Sequence, residues 1–172
     1  MGIISAASFR TVGNAAATQN LFSIRNSGNK IVTIRRLVMQ MDVTAVLVSV
    51  MPLIKACRIS DAPTGGTALT KVRWGGAVSD DSVTVLGATA SDGGSLTAIT
   101  ATPTATMWEQ FGFRLHTAVG QVLTIDNNMI CGDYPVELGI GEGVLVHILA
   151  PGAASNPVTN HYIVQCVWHE SE

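Results

Sequence analysis

The sequence predicts an all-β chain: a two-sheet antiparallel β-sandwich of jelly-roll type with an extended N-terminal arm. Three observations carry this reading. Short runs along the chain alternate apolar and polar side chains with period 2. Gly, Asn, Asp and Pro separate these runs at a spacing of roughly 8–12 residues, which is the rhythm of a sandwich. No stretch carries the 3.6-residue apolar repeat of an amphipathic helix. About eight to ten strands result.

Residues 1–19 are rich in Ala, Ser, Thr and Gly and weakly periodic. They are expected to form the arm, with a short strand around residues 3–9. Residues 20–172 are expected to form one sandwich domain. Residues 21–25 alternate, Asn26-Ser27-Gly28-Asn29 makes a turn, and residues 30–42 follow, which together carry the signature of a β-hairpin. Within the second of these strands Val32 and Ile34 share one parity, whereas Leu37, Met39 and Met41 share the other. A period-2 pattern changes phase by one residue at a β-bulge, so a bulge is expected at Arg35-Arg36.

Residues 43–54 are rich in β-branched side chains and suit a strand or a loop covered at an interface. Residues 55–60 form a short strand, residues 62–70 a Pro/Gly/Thr loop, and residues 71–74 another short strand closed by Gly75-Gly76. Residues 82–88 read as a strand and residues 91–103 as a loop headed by Asp92-Gly93-Gly94. Residues 107–116 alternate clearly; residues 121–125 follow, and Asp126-Asn127-Asn128 is expected to turn the chain. Residues 134–139 are a short strand, residues 139–143 a tight corner. Two long apolar strands close the chain, over residues 143–150 and 160–169, with a polar loop between them.

Composition narrows the function. The chain has 172 residues, of which 47% are hydrophobic and 13% charged. An average soluble protein is about 25% charged. Charge is depleted at the cores of subunit interfaces, so the deficit points to a surface covered by other subunits. Net charge is −2 and Arg35-Arg36 is the only adjacent basic pair; without a basic stripe a nucleic-acid partner is not expected. Residues 1–10 lack the features of a secretory signal, Ala6 stands where a myristoylation motif wants Ser or Thr, and the apolar run at residues 43–54 is interrupted by Pro52 and falls short of the ~20 residues of a membrane helix. No Asn-x-Ser/Thr acceptor occurs. Synthesis in a cytoplasm and no membrane partner are expected. Cys57, Cys131 and Cys166 are odd in number and far apart, which suits buried free thiols.

The residues that carry chemistry in other sandwiches do not assemble into a motif. His116, His147, His161 and His169 include no His-x-His pair, as a cupin-like metal site requires. His161 and His169 share a strand parity, yet eight residues at about 3.3 Å set them about 26 Å apart; His147 is expected to approach one of them across the closing strand pair, for two ligands at most. A calcium loop needs five or more oxygens converging from alternate positions, a continuation that Asp126-Asn127-Asn128 lacks; like Asp80-Asp81 and Asp92-Gly93-Gly94 it reads as a turn. No Gly-x-Ser-x-Gly elbow occurs, Cys166 lies on an apolar strand, and no cue brings Glu109 and Glu137 together. Trp74, Trp108, Trp168, Tyr134 and Tyr162 are few; Tyr162 and Trp168 fall on one side of the last strand and suit either the core or a sugar-binding row. The expectation is a protein that is not an enzyme, with no catalytic, metal-binding or cofactor-binding residues.

Residues 20–26 (Asn-Leu-Phe-Ser-Ile-Arg-Asn), 34–37 (Ile-Arg-Arg-Leu) and 160–170, which end in Trp-His-Glu, resemble small structural proteins encoded in tailed-bacteriophage virion gene clusters. The likeness extends in outline over much of the chain, from the Ala-rich arm to the closing strand with its Trp-x-Glu. It implies a jelly-roll or related sandwich serving as a capsid cement (decoration) protein, a head fibre or a tail component. Trimers are common among such decoration proteins, and no catalytic residue carries over. On this resemblance the chain is expected to be a virion protein that binds and stabilises the major capsid protein shell as a homotrimer, with residues 2–19 and 43–54 making contacts between subunits. The alternative is a receptor- or glycan-binding domain of a head fibre or tail; a third class is a cupin-like enzyme.

Overall fold

The computed structural model describes residues 3–10, 18–43, 53–74, 82–88, 98–111, 122–130, 134–149 and 160–171. These residues form strands and connections with no helix. In chain order the strands are β1 (Ile3–Arg10), β2 (Thr18–Asn26), β3 (Ile31–Val43), β4 (Leu53–Ile59), β5 (Thr64–Gly65), β6 (Thr67–Ala68), β7 (Val72–Arg73), β8 (Val83–Gly87), β9 (Ile99–Thr100), β10 (Pro103–Phe111), β11 (Val122–Ile130), β12 (Val136–Leu138), β13 (Gly143–Leu149) and β14 (Asn160–Ser171).

Two large antiparallel sheets pack against each other. The first runs β11-β3-β14-β1-β7, with β12 on β3; the second runs β10-β4-β13-β2-β8-β6. A small β5-β9 ribbon completes the set. One core lies between the sheets. The first contributes Leu37, Met39, Tyr162, Val164 and Trp168, the second Phe22, Ile24, Ile54, Val144 and Val146, all fully buried. Each such side chain contributes roughly 1.5–3 kcal/mol on leaving water. The rings of Phe9 on β1 and Phe22 on β2 stack across the two sheets, 6.1 Å apart and inclined at 12°.

The alternation read from sequence is borne out most clearly on β14. Tyr162, Val164, Cys166, Trp168 and Glu170 point inward and are buried, and Gln165 between them is exposed. Tyr162 and Trp168 are core residues, which resolves the choice left open for them. The bulge is also present at its expected place. Arg36 pairs with Val167 and Ile34 with Trp168, so Arg35 is one extra residue in β3. Both arginines are exposed, while Ile34 and Leu37 on either side are buried.

Three expectations are corrected. Residues 21–25 and 30–42 do not form a hairpin: β2 lies in the second sheet and β3 in the first. The turn between them arches across the sandwich because Asn26 is buried and holds it there. Its Nδ2 donates to Lys30 O and Leu138 O, at 2.7 and 3.0 Å, and its Oδ1 accepts from Gly28 N. The closing strands are likewise not a pair, since β13 and β14 lie in opposite sheets. Finally, Asp126-Asn127-Asn128 does not turn the chain but lies within β11. Leu123 pairs with Met41 and Asn127 with Met39, so the turn-forming residues appear as an irregularity in the ladder.

The start of the expected arm is a sheet strand. Residues Ile3–Arg10 pair with β14 over their whole length, from Ile3↔Glu170 to Arg10↔Ile163. Weak side-chain periodicity here reflects small residues and not a detached chain: Ser5 and Ala7 face inward and are buried. Residues 11–17 of the arm, and residues 44–52 of the apolar stretch, lie outside the described residues, as do Cys131, His116, Asp80-Asp81 and Asp92-Gly93-Gly94.

Cys57 and Cys166 are free and buried. Desolvation pushes the Cys166 thiol far up from its ordinary ionisation range. In a Cys131→Ser variant at about pH 8, neither remaining thiol is expected to react with an aromatic disulfide reagent until denaturant is added, because both sulfurs are buried away from it. Rapid native-state labelling of both would contradict this burial.

Candidate interaction surfaces

The residues considered for chemistry are held apart by the fold. His147 is on β13 in the second sheet and His169 on β14 in the first. His161 is also on β14, and its side chain lies outside the described residues. Half-buried His147 shares a hydrogen bond with Asn20 Oδ1 through its Nδ1. Burial, and then the positive charge of Lys55 beside it, lower its pKa below the usual 6.5. Lys55 is itself bridged to Glu109 at 2.9 Å. Glu109 and Glu137 belong to different sheets, on β10 and β12. Cys166 points into the core from the first sheet, so it does not meet His147. Among the described residues no group of three or more His, Cys, Asp or Glu side chains is placed to hold a metal ion.

One buried polar constellation is structural. Glu170 is 2% exposed, and its two carboxylate oxygens accept from Trp168 Nε1 at 3.1 Å and from Ser82 N at 3.4 Å. Positions i and i+2 share one strand face, so Trp-x-Glu is a local clamp facing the core.

The outer face of the first sheet carries a groove of about 450 Å³. Its origin is a row of cross-strand partners. Val72 on β7 pairs with Ala6 on β1, Ala6 with Val167 on β14, and Val167 with Arg36 on β3. The next outward pair is Ser8 with Gln165. Ala6 and Ser8 are small, so the surface sinks over β1 between larger neighbours on both sides. One wall is Trp74, whose backbone N donates to Ile4 O at 2.9 Å. That bond continues the β7 edge by one residue and sets the indole on the outer face. The side chain is 64% exposed. The opposite wall is Arg36. Three strand spacings separate β7 from β3, roughly 14 Å at 4.7–4.9 Å each. No Asp or Glu is among the lining residues. Sequence reasoning noted Trp74 and Arg36 separately; nothing local in the chain relates them.

A second exposed surface lies at the edge beyond β3. Tyr134 precedes β12 and is 82% exposed, and Ile140, in the corner before β13, is 74% exposed. Ile31, at the start of β3 and next to Val32, which pairs with Leu138 on β12, is also exposed. The corner is rigidly tied. Gly141 has φ of 84° and its N donates to Asn26 O, while Glu142 accepts from Gly139 N and meets Arg58 at 3.3 Å. Ile140 is thus exposed on a corner whose backbone is held fixed. No protein-family model, no curated protein and no solved structure matches the chain.

Proposed function

We propose that the chain is a structural virion protein of a tailed phage, a jelly-roll cement or decoration subunit that stabilises the major capsid shell as a homotrimer. The observation that carries this is the strand order. Taking the long strands alone, β1-β14-β3-β11 faces β2-β13-β4-β10. Apart from β4 and β10, which are neighbours in one sheet, successive long strands alternate between the two sheets; this order supports the jelly-roll reading, and jelly rolls occur among viral capsid proteins. Sparse charge, 13% of residues, supports a surface partly covered by copies of itself and by a shell.

The self-contact is assigned to the edge bearing Ile31, Tyr134 and Ile140, in place of residues 3–10, which the sheet already uses. Cyclic burial of these side chains would also cover the β12 edge, which among the described residues pairs with no strand other than β3. At tens of micromolar the chain is expected to sediment as a trimer, and Tyr134→Glu with Ile140→Glu is expected to give a folded monomer. Virions that carry the chain are expected to bind its antibody on the head. A wild-type monomer at that concentration overturns the oligomer, and labelling confined to the tail overturns the shell role.

A further inference from the structure

We infer that the groove over β1 binds an acidic saccharide, with Trp74 stacking on a sugar ring and Arg36 holding a carboxylate. This does not depend on the shell role, since the groove lies on the outer face of the first sheet and the proposed self-contact lies at its β12 edge.

Four observations point the same way. The groove's volume falls within the roughly 300–1,000 Å³ of small-ligand sites. A tryptophan that is 64% exposed stands at its rim directly after β7, held by its backbone N–H to Ile4 O. Trp74 stands beside exposed Val72 in the groove lining, and an indole face accepts the flat apolar face of a pyranose. The floor supplies hydroxyl and amide groups from Ser8 and Gln165, which match sugar hydroxyls in donating and accepting.

The fourth observation is charge. Arg36 lines the groove, and the bulge leaves Arg35, its exposed neighbour in sequence, as a second cation next to it in the chain. Neither has an acidic partner among the described residues, and none lines the groove. A guanidinium presents paired N–H donors that fit a carboxylate in bidentate fashion. On a surface this poor in charge, two unopposed cations select an anion. Bulges commonly serve to re-aim side chains at binding sites. A neutral sugar would satisfy Trp74, Ser8 and Gln165 but leave the arginine pair without a role; a bare inorganic anion would leave Trp74 without one.

The test is titration of the whole chain with sialyllactose and with tri-galacturonate, each against its uncharged counterpart, lactose and tri-galactose. Binding is followed by calorimetry and by tryptophan fluorescence, to which exposed Trp74 contributes. At least one acidic probe is expected to bind about tenfold more tightly than its neutral counterpart. Trp74→Ala and Arg36→Ala are each expected to weaken it about tenfold or more, and Arg36→Lys to restore only part of the loss. Circular dichroism of both variants should match the wild type, because both side chains are exposed. Equal binding of acidic and neutral probes overturns the assignment of Arg36. Binding unchanged in Trp74→Ala overturns the site, and no binding of either acidic probe at millimolar concentration overturns the inference. None of these outcomes bears on the sedimentation result, so the two proposals fail separately.

Discussion

Truncating Trp168 to alanine is expected to cost about 3–5 kcal/mol, a large part of the roughly 5–15 kcal/mol that holds a domain folded. Two effects add. The indole is fully buried and is among the largest side chains in the core, so its removal leaves a cavity that the surrounding strands fill only in part. It also removes the donor to Glu170 Oε1. The Glu170 carboxylate, 2% exposed, then keeps only the longer contact from Ser82 N at 3.4 Å. A buried acceptor that loses its partner carries its full desolvation penalty. The two effects are separable. Trp168→Phe retains most of the volume and loses the donor, for an expected cost of about 1–3 kcal/mol. Glu170→Gln keeps the shape but turns one oxygen into an N–H that faces another donor. If the clamp is real, the two losses overlap, and the double variant costs less than the sum of the singles in urea denaturation. Strict additivity would mean that Trp168 contributes by packing alone.

The clamp illustrates which parts of this fold were legible in the sequence. Strand-face parity is local, so the inward side of β14 and the phase change at Arg35-Arg36 could be read from the residues themselves. Pairing partners are not local. The turn at residues 26–29 has the same composition whether its flanking strands pair or arch between sheets. The choice is made by Asn26 bonding to Leu138 O, 112 positions away. Small side chains at residues 3–10 gave little periodicity, yet their backbone found eight partners in β14. In β11 the turn propensity of Asp126-Asn127-Asn128 yielded to the ladder with β3 and survives only as a register shift. The groove is assembled from β1, β3, β14 and the end of β7, and a fold had to exist before Trp74 and Arg36 had any relation. A usable hint was present in Ala6-x-Ser8, two small residues on the outward parity of one strand.

Deleting one residue from the middle of a strand should be ruinous here, except at Arg35. In a period-2 element, a one-residue shift sends every later side chain to the wrong face. Removing Gln165 from β14 would do this: the strand pairs without irregularity from Asn160 to Val167, so residues on one side of the deletion would turn Tyr162 and Val164 outward or Trp168 and Glu170 with them. Several fully buried side chains would be lost to the core at once, each worth roughly 1.5–3 kcal/mol, and no folded protein is expected. Arg35 differs because it is already supernumerary. Ile34 pairs with Trp168 and Arg36 with Val167, so the ladder resumes on both sides without it. Excising it joins inward Ile34 to outward Arg36 and inward Leu37, a regular alternation that keeps every core contact of β3. The deletion is expected to fold with the wild-type circular dichroism spectrum and to shift stability by about 1 kcal/mol or less, through lost local twist alone. Arg36 would remain beside Val167 while its exposed neighbour vanished, so binding of the acidic saccharide should weaken less than in Arg36→Ala. An unfolded Arg35 deletion alongside a folded Gln165 deletion would show that β3 and β14 are registered differently, and the groove built on that register would go with it.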